Sequence, residues 1–337
     1  MTDIRFDVLG LGNAIVDVLA HTEDDFLIAN RLHKGAMRLI EEDEAERLYA
    51  AMGPATIISG GAVANSIVGV ASLGGRGAYI GKVKADAVGA QFTHDIRATG
   101  VHFATAPSAE GPATARSFIL VTPDGERTMN TYLGACQHLG PGDVDPDVVR
   151  ASAFVYLEGY LWDRDQAKEA FRRAGAIAHE AGRQVALTLS DSFCVDRFRD
   201  EFLDLIRSGT LDIVFANESE LKSLYQTADF DTAVAAFRAE SEGERQVMGL
   251  VTRSEQGCLV VTREETHAVA AFPIDRLVDT TGAGDLFAAG VLFGLARDLG
   301  PVAAARLGGL AAAEVIQHLG ARPATSLRAL AQENGLL

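Results

Sequence analysis

The stretch Asp279-Thr280-Thr281-Gly282-Ala283-Gly284-Asp285, followed by the apolar run 286–296, decides how this chain folds and what it can bind. A run that is apolar nearly all round predicts a helix buried within the domain. Small residues in its first turn let an anion approach the backbone amides, and the helix dipole favours negative charge there. We therefore expect an anion-binding helix N-terminus at residues 282–285.

Asp285 does not fit a simple anion-binding turn, because a fixed negative charge repels a bound phosphate unless it has a chemical task. Accepting a proton from an attacking hydroxyl is such a task. The alternative is structural, since Asp is common in the first turn of helices and glycine-rich turns often only redirect the chain. The apolar character of the helix that follows favours a binding site.

The composition limits the partners that the chain can have. It has 337 residues and a net charge of −16, and no cluster of Lys and Arg is longer than a pair, which argues against nucleic acid or an anionic membrane. The three cysteines, Cys136, Cys194 and Cys258, lie far apart in apolar segments, so neither a disulfide framework nor a zinc site is indicated. No apolar stretch reaches membrane-spanning length. We expect a soluble, cytoplasmic protein.

Strand-like and helix-like runs alternate along most of the chain. The strand-like runs are 6–12, 78–83, 154–158, 185–189, 213–216 and 247–252, and the helical runs are 61–73, 87–98, 163–181, 195–208, 218–224, 231–240, 282–299, 301–318 and 326–333. Such alternation predicts an α/β domain of parallel strands with helices on both faces. Two segments break the pattern, 14–38 and 103–132, the second with a hairpin signal at Pro123-Asp124-Gly125. We predict that these two segments form a small antiparallel lid on one domain spanning 1–337.

A glycine-rich segment and an acidic residue in the N-terminal part of the chain are further candidates for ligand contacts. Gly60 and Gly61 precede a mostly apolar helix, where they allow a ligand to approach the backbone, although tight packing of that helix explains them equally well. Asn65, one turn into the helix, needs hydrogen-bond partners that a polyhydroxyl ligand offers. Asp17 follows the first strand, where open α/β sheets bind ligands, although a turn-capping acid is an equal alternative.

The segments after two later strands are also polar. Asn217 and Glu220 have the spacing of a helix capping box, and their oxygens are also suitable ligands for Mg²⁺ or its water shell. Residues 252–257 join two strand-like runs and by themselves indicate a hairpin. Both segments therefore have a structural and a binding interpretation.

Two common nucleotide-binding motifs are incomplete. Gly81-Lys82 is followed by Val83, and Arg76 stands where the first glycine of a P-loop belongs. Gly10-Leu11-Gly12 has Ile15 where the third glycine of a dinucleotide-binding fold belongs. The chain has no Walker A motif, and a nicotinamide-dependent oxidoreductase is disfavoured.

Taken together, these clusters resemble the ribokinase (PfkB) family of carbohydrate and nucleoside kinases along almost the whole chain. The family signature D-T-x-G-A-G-D is matched at 279–285, and the Gly-Gly-x-x-x-Asn, the Asn-x-x-Glu and the flap after the first strand follow in family order. The resemblance implies a three-layer α/β/α domain with a mostly parallel central sheet and a small β lid. It also implies that ATP binds near the C-terminal half and a hydroxyl-bearing acceptor under the lid.

The resemblance also implies roles for individual residues. Asp285 is similar to the catalytic base, and the amides of Gly282, Ala283 and Gly284 are similar to the anion hole for the transferring phosphoryl group. The implied acceptor ligands are Asp17, Gly60, Gly61, Asn65 and Glu158. The implied ligands of ATP and of Mg²⁺, the metal being held through water, are Asn217, Glu220, Thr252 and Gly257, with Ser254 where the family often has glycine. Asp279 and Thr281 correspond to positions that hold a monovalent cation such as K⁺ in some members.

The opening at residues 12–17 is most similar to that of adenosine kinases, with Ala14 where proline is usual. A nucleoside needs an aromatic surface for its base, and the candidates, each of which ordinary packing also explains, are Tyr132, Tyr160, Trp162 and Phe193. We predict transfer of the γ-phosphoryl of ATP to the hydroxymethyl group of a nucleoside such as adenosine. A sugar such as ribose or fructose is the alternative, and a non-catalytic ligand sensor is a remote one. The family resemblance also allows a homodimer through the lid.

Overall fold

The fold is described by a computed structural model that covers residues 3–240 and 246–337. The strands, in chain order, are β1 (Phe6–Leu11), β2 (Ile15–His21), β3 (Met37–Leu39), β4 (Thr56–Gly60), β5 (Gly77–Ile80), β6 (His102–Phe103), β7 (Ala115–Val121), β8 (Arg127–Tyr132), β9 (Ser152–Glu158), β10 (Gln184–Thr188), β11 (Ile213–Asn217), β12 (Met248–Thr252), β13 (Cys258–Val261) and β14 (Thr266–Val269).

The helices follow most of the predicted helical runs. They are α1 (Asp24–Ala29), α2 (Glu42–Ala51), α3 (Ala62–Ser72), α4 (Ala87–Ala98), α5 (Pro146–Arg150), α6 (Asp165–Glu180), α7 (Ser192–Arg207), α8 (Glu218–Leu224), α9 (Phe230–Glu240), α10 (Ala283–Leu295), α11 (Pro301–Val315) and α12 (Leu327–Glu333). Helix α7 begins three residues before the prediction because the Asp191 side chain accepts a hydrogen bond from the Cys194 amide at 2.6 Å and caps it. Within the described ranges, no helix is long and apolar enough to cross a membrane.

The main sheet has the strand order β14-β13-β12-β11-β10-β9-β1-β5-β6 over the described residues. The strands from β12 to β6 in this order are parallel, and β13 and β14 are antiparallel additions at one edge. One apolar cluster packs α3 and α10 against one face, with Ile67 and Leu292 fully buried, and a second packs α6 and α7 against the other, with Phe171 and Phe202 buried. The predicted three-layer α/β/α fold is confirmed.

Small residues bring α3 and α10 close together. A Cβ added at Gly69 of α3 would lie 2.7 Å from the Cβ of Ala289 on α10, so only glycine permits this contact. Gly290 makes the same kind of close approach to Gly308 on α11. The small residues Ala289 and Gly290 of α10 thus reflect helix packing, which holds the N-termini of α3 and α10 side by side.

The small sheet has the order β3-β8-β7-β2-β4 over the described residues. The predicted lid segments 14–38 and 103–132 contain β2, β3, β7 and β8, but β4 and the short helix α1 were missed. The expectation of an antiparallel sheet is wrong in part, because β2 pairs with β7 and β3 with β8 in parallel, whereas β7–β8 and β2–β4 are antiparallel. Among the described strands of this small sheet, only β7 and β8 are joined by a tight turn. The other pairs join strands that are distant in sequence and free to run in either direction.

Candidate active site

A cavity of about 940 Å³ opens between the small sheet and the carboxyl ends of the main-sheet strands. Its wall includes the last residues of four neighbouring parallel strands, Glu158, Thr188, Asn217 and Thr252. The sequence-predicted residues on the wall are Asp17, Gly61, Asn65, Glu158, Asn217, Glu220, Thr252, Thr281, Gly284 and Asp285. The others, which do not belong to this lining, are Gly60, Gly257, Asp279, Gly282 and Ala283. The cavity occupies the position where open α/β sheets bind their ligands.

Asp285 lies in the first turn of α10, at the junction between the two glycine-rich helix starts. The Asn65 side chain of α3 donates a hydrogen bond from Nδ2 to Asp285 Oδ2 at 2.9 Å. Burial raises the pKa of Asp285 to about 7, and the nearby Glu158 acts in the same direction, whereas the bond from Asn65 and the charge of Arg322 lower it. A carboxyl group with a pKa near neutrality is suited to accept a proton at physiological pH.

The first turn of α10 presents backbone amides beside this carboxylate. Gly282 caps the helix with φ +81°, and the first intrahelical bond runs from the Leu286 amide to the Gly282 carbonyl at 2.8 Å. The Ala283 amide donates to the Thr280 carbonyl at 3.2 Å. One of the predicted anion-hole amides is therefore already occupied by the protein. The amides of Gly284 and Asp285 precede the bonded part of the helix, have no partner among the described residues and are open to a ligand.

Gly282 and Gly284 differ in how much space a side chain would have at each position. A Cβ at Gly282 would lie 2.7 Å from the Cβ of Ala321, and its positive φ is a conformation that other residues rarely adopt. A Cβ at Gly284 would meet no heavy atom within 4 Å among the described residues. Gly282 is therefore required by the fold, whereas the space above Gly284 is open to the cavity.

Glu158 is 1% exposed, and the protein itself occupies both of its oxygens. Asn13 donates to it from Nδ2 at 2.7 Å and from its backbone amide at 3.3 Å, and the Val63 amide donates at 3.1 Å. Burial raises the pKa of Glu158 to about 7. Glu158 thus joins the β1–β2 turn to the start of α3. Asn13 was missed as a site residue, and its one signal was the similarity at residues 12–17.

Asp17 projects from β2 beside the glycine pair. A Cβ at Gly60 would lie 2.2 Å from Asp17 Oδ2, and a Cβ at Gly61, where φ is +99°, would lie 2.2 Å from the carbonyl oxygen of Asn13. The glycine pair therefore makes room for Asp17 and for the β1–β2 turn, which favours the packing interpretation of these two glycines. Burial raises the pKa of Asp17 to about 6, and the charges of Arg322 and Arg127 oppose the shift.

Arg322 is a charged residue of the site that the sequence did not indicate. Its guanidinium donates to the Ser59 carbonyl, at 2.7 Å from Nη2 and 3.2 Å from Nε, and to the Ala64 carbonyl at 3.2 Å. Burial lowers the pKa of Arg322 to about 10, so it stays protonated at neutral pH. It lies behind the cavity wall and lowers the pKa of both Asp17 and Asp285.

Asn217 and Glu220 form the predicted capping box at the start of α8. Asn217 Oδ1 accepts from the Glu220 amide at 2.9 Å, and Glu220 accepts from the Asn217 amide at 3.0 Å and from its Nδ2 at 2.5 Å. Burial raises the pKa of Glu220 to about 7. Because both residues also line the cavity, the structural role does not exclude binding.

The segment 252–257 is the hairpin connection between β12 and β13, as predicted. Thr252 pairs with Asn217 in the sheet and lines the cavity beside it. Gly257 has φ +80°, and a Cβ there would lie 2.0 Å from the Val269 carbonyl oxygen. The positive φ of the hairpin turn and the close approach of β14 therefore explain this glycine.

The four candidate aromatics divide into two pairs. Tyr132 packs in the apolar core of the small sheet, and Trp162 is fully buried against Phe171 and Phe202. Phe193 is 65% exposed and Tyr160 is 37% exposed, and both line the cavity. The exposed apolar side chains of Met37 and Leu39 on β3 line it as well.

The fold has three α/β/α layers, and a buried carboxyl group with a pKa near 7 lies beside open backbone amides at the start of a helix. These features are typical of one class of enzyme, the phosphotransferases that act on alcohol groups. The comparison with protein families agrees, since residues 37–327 match the model described as pfkB family carbohydrate kinase. The chain belongs to this family. The prediction of an alcohol-group phosphotransferase is confirmed at the level of the family.

Relatives of two kinds are similar to the chain. A probable sugar kinase from Rhizobium etli has a TM-score of 0.92 and 53% identity, covering 99% of this chain and 100% of its own. An adenosine kinase from Sinorhizobium meliloti has a TM-score of 0.90 and 54% identity, covering 98% and 99%. The probable chloroplastic fructokinase-6 of Arabidopsis thaliana is 32% identical over 71% of this chain and 63% of its own length.

Proposed function

We propose that the protein transfers the γ-phosphoryl group of ATP to the hydroxymethyl group of a nucleoside such as adenosine. The observation that carries this proposal is the position of Asp285. Its carboxyl group, with a pKa of about 7, lies at the open amides of α10 and in the same cavity as Phe193. The apolar side chains of Met37 and Leu39 add a surface that suits a flat base better than a free sugar. The similarity to the Sinorhizobium adenosine kinase supports the same acceptor.

In the proposed reaction, Asp285 accepts the proton of the acceptor hydroxyl. The hydroxyl oxygen forms a bond to the γ-phosphorus while the bond from this phosphorus to the β–γ bridging oxygen breaks, and ADP leaves. The amides of Gly284 and Asp285, with the dipole of α10, stabilise the charge of the transferring group. Asp17 and Asn65 are proposed to orient the acceptor, with Glu158 holding the start of α3 in place.

The nucleotide end of the cavity is proposed to involve Asn217, Glu220 and Thr252. Mg²⁺ is usually bound through one or two carboxylates, several waters and substrate phosphates. Glu220 fits this pattern, because each of its oxygens accepts from Asn217 and keeps a lone pair for a metal-bound water. When bound, Mg²⁺ would neutralise phosphate charge.

The small sheet is proposed to act as a lid over the acceptor. Its strands β2, β3, β7 and β8 contribute the cavity residues Asp17, Leu39, Ile119 and Met129. Its edge strand β3 pairs only with β8 over the described residues, so a second copy could extend it into a continuous sheet. A dimer in sedimentation measurements that a proline in β3 disrupts would support this arrangement.

An ADP-release screen over nucleosides and monosaccharides tests the proposed acceptor. We expect adenosine or a related nucleoside to give turnover at low concentration, with ribose and fructose far slower. Turnover with monosaccharides alone would favour the second candidate, a sugar kinase, which the similarity to the plant fructokinase supports. Binding of nucleosides without ADP release from any acceptor would favour a ligand sensor.

Phe193→Ala is expected to raise the KM for a nucleoside by roughly 5- to 150-fold, because stacking of a base on an aromatic side chain contributes about 1–3 kcal/mol. The Tm should change little, since Phe193 is 65% exposed. Steady-state kinetics with adenosine measure the effect. Ile28→Ala, at a 73% exposed residue outside the cavity, is the matched control. An unchanged KM in Phe193→Ala would remove this residue from the acceptor site.

The rate is expected to follow the protonation of Asp285. With a pKa of about 7 in the folded protein, kcat/KM should rise about tenfold per pH unit below neutrality and level off above it. Glu158→Gln should retain this rise if Glu158 only positions its neighbours. A wild-type profile that is flat from pH 5.5 to 8 would count against Asp285 as the base.

A further inference from the structure

A buried ion pair connects the small sheet to the loop that precedes α10. Arg127, at the start of β8, places Nη2 2.6 Å from Asp279 Oδ2 and donates from Nη1 to the Thr281 hydroxyl. The side chains of Arg127 and Asp279 are only 11% and 3% exposed. A guanidinium from the small sheet therefore contacts both residues that the family resemblance suggests as ligands of a monovalent cation.

The other contacts of Asp279 leave little room for such a cation. Oδ1 accepts from the Thr281 amide at 3.0 Å, and Oδ2 accepts from the Gly320 amide at 2.9 Å in addition to the contact with Arg127. The carboxylate is thus surrounded by N–H donors and one full positive charge. A second cation at Oδ2 would lie within a few ångströms of the guanidinium and be repelled by it. The residues present do not fit a monovalent-cation site.

We propose that Arg127 takes the place of a monovalent cation in this protein. Asp279 is a buried carboxylate and needs a compensating charge, because burial of an unpaired charge is strongly unfavourable. Arg127 supplies that charge from within the chain, so K⁺ is not needed to hold the loop 279–282 in front of the amides of α10.

The positive charge that pairs with Asp279 belongs to the small sheet. A soluble ion reaches Asp279 whether or not the small sheet covers the cavity, whereas Arg127 arrives with β8. The loop before α10 is therefore fully neutralised only when the small sheet lies over it. Arg127 acts as a positioning residue that couples the cover of the acceptor to the shape of the anion-binding turn.

Thermal unfolding in KCl and in N-methylglucamine chloride at equal ionic strength tests the proposal without any substrate. The wild type should have the same Tm in both salts within about 1 °C. In N-methylglucamine, Arg127→Gln should have a lower Tm than the wild type. K⁺ should raise the Tm of this variant by more than about 2 °C, because the vacated site then binds the ion. Arg116→Gln is the matched control, since Arg116 is also a buried small-sheet arginine but pairs with Glu46 within that part of the fold.

The double variant Arg127→Gln/Asp279→Asn should lose the K⁺ response, because the ligand carboxylate is gone. A K⁺-specific rise in the wild-type Tm would overturn the proposal, as would a folded Arg127→Gln protein that shows no K⁺ response. If Arg127→Gln does not fold, two wild-type measurements decide: the Tm in the two salts, and ADP release in K⁺ and in N-methylglucamine. The activity measurement rests on the proposed function, whereas the Tm comparison does not, so failures of the two proposals are distinguishable.

Discussion

Asp285→Asn is expected to lower kcat by about 10²- to 10⁴-fold, the range associated with loss of a positioned general base. The amide is nearly isosteric, and it keeps a carbonyl oxygen that can accept the hydrogen bond from Asn65. The fold and the amides of α10 should therefore be preserved. ADP release at saturating ATP measures the loss. ATP affinity should stay largely intact, because the substitution keeps the backbone amide of residue 285 and leaves the proposed nucleotide ligands Asn217, Glu220 and Thr252 unchanged.

The same substitution is expected to raise the Tm, and to raise it more at pH 8 than at pH 5. The pKa of Asp285 is about 7 in the folded protein against an ordinary value of 3.8. An acid whose pKa is raised by folding destabilises the folded state as pH rises from the unfolded to the folded pKa, because the unfolded chain ionises first. Asparagine removes this penalty, which is fully present only above about pH 7.

An exposed acid outside the cavity provides the comparison. Asp25→Asn on α1 should leave both turnover and the pH dependence of the Tm as in the wild type. Asp285→Asn with near-normal turnover would refute the assignment of the base. A Tm difference that does not grow between pH 5 and pH 8 would instead show that the carboxyl group is well solvated.

Gly284→Ala is expected to separate activity from stability. A Cβ at this position meets no heavy atom within 4 Å in the described chain, and alanine is favoured over glycine within a helix by about 1 kcal/mol. The Tm should be unchanged or higher. The methyl group, however, would project where the phosphoryl group approaches the amides, so turnover should fall by roughly the 10²- to 10³-fold seen when an anion-stabilising donor is lost.

Gly282→Ala is the matched variant two residues away. Its Cβ would lie 2.7 Å from Ala321, and its φ of +81° disfavours any side chain. It should therefore lower the Tm by several degrees, through strain of about 1–3 kcal/mol. Equal activity of Gly284→Ala and the wild type would mean that no phosphate reaches this turn.

Most of the main sheet was predictable from sequence because its signals are local. Runs such as 213–216 are apolar without interruption, as in strands covered on both faces, and the alternation with amphipathic helices gives parallel order. The small sheet was harder to predict. Strand β4 is short, and its pairing with β2 depends on residues about 40 positions apart. Nothing in residues 14–38 signals that β2 will lie parallel to β7.

The candidate site divides in the same way. Asp285 and its glycines stand in one contiguous motif, so the sequence was sufficient to locate them. Arg127 contacts Thr281 and Arg322 contacts Ser59, which lie 154 and 263 positions away in the chain, and only the folded arrangement reveals these contacts. Gly282 and Gly257 have a positive φ that favours glycine, and Gly60 makes room for the Asp17 side chain, whereas a Cβ at Gly284 would meet nothing within 4 Å among the described residues. The sequence could not distinguish these cases.

A crystal structure with adenosine and a non-hydrolysable ATP analogue tests the central claim most directly, through the distance between the acceptor hydroxymethyl oxygen and the Asp285 carboxylate. We expect this distance to be about 2.6–3.2 Å, with the γ-phosphate at the amides of Gly284 and Asp285. A hydroxymethyl group bound to a different side chain, or a γ-phosphate held away from α10, would contradict the account.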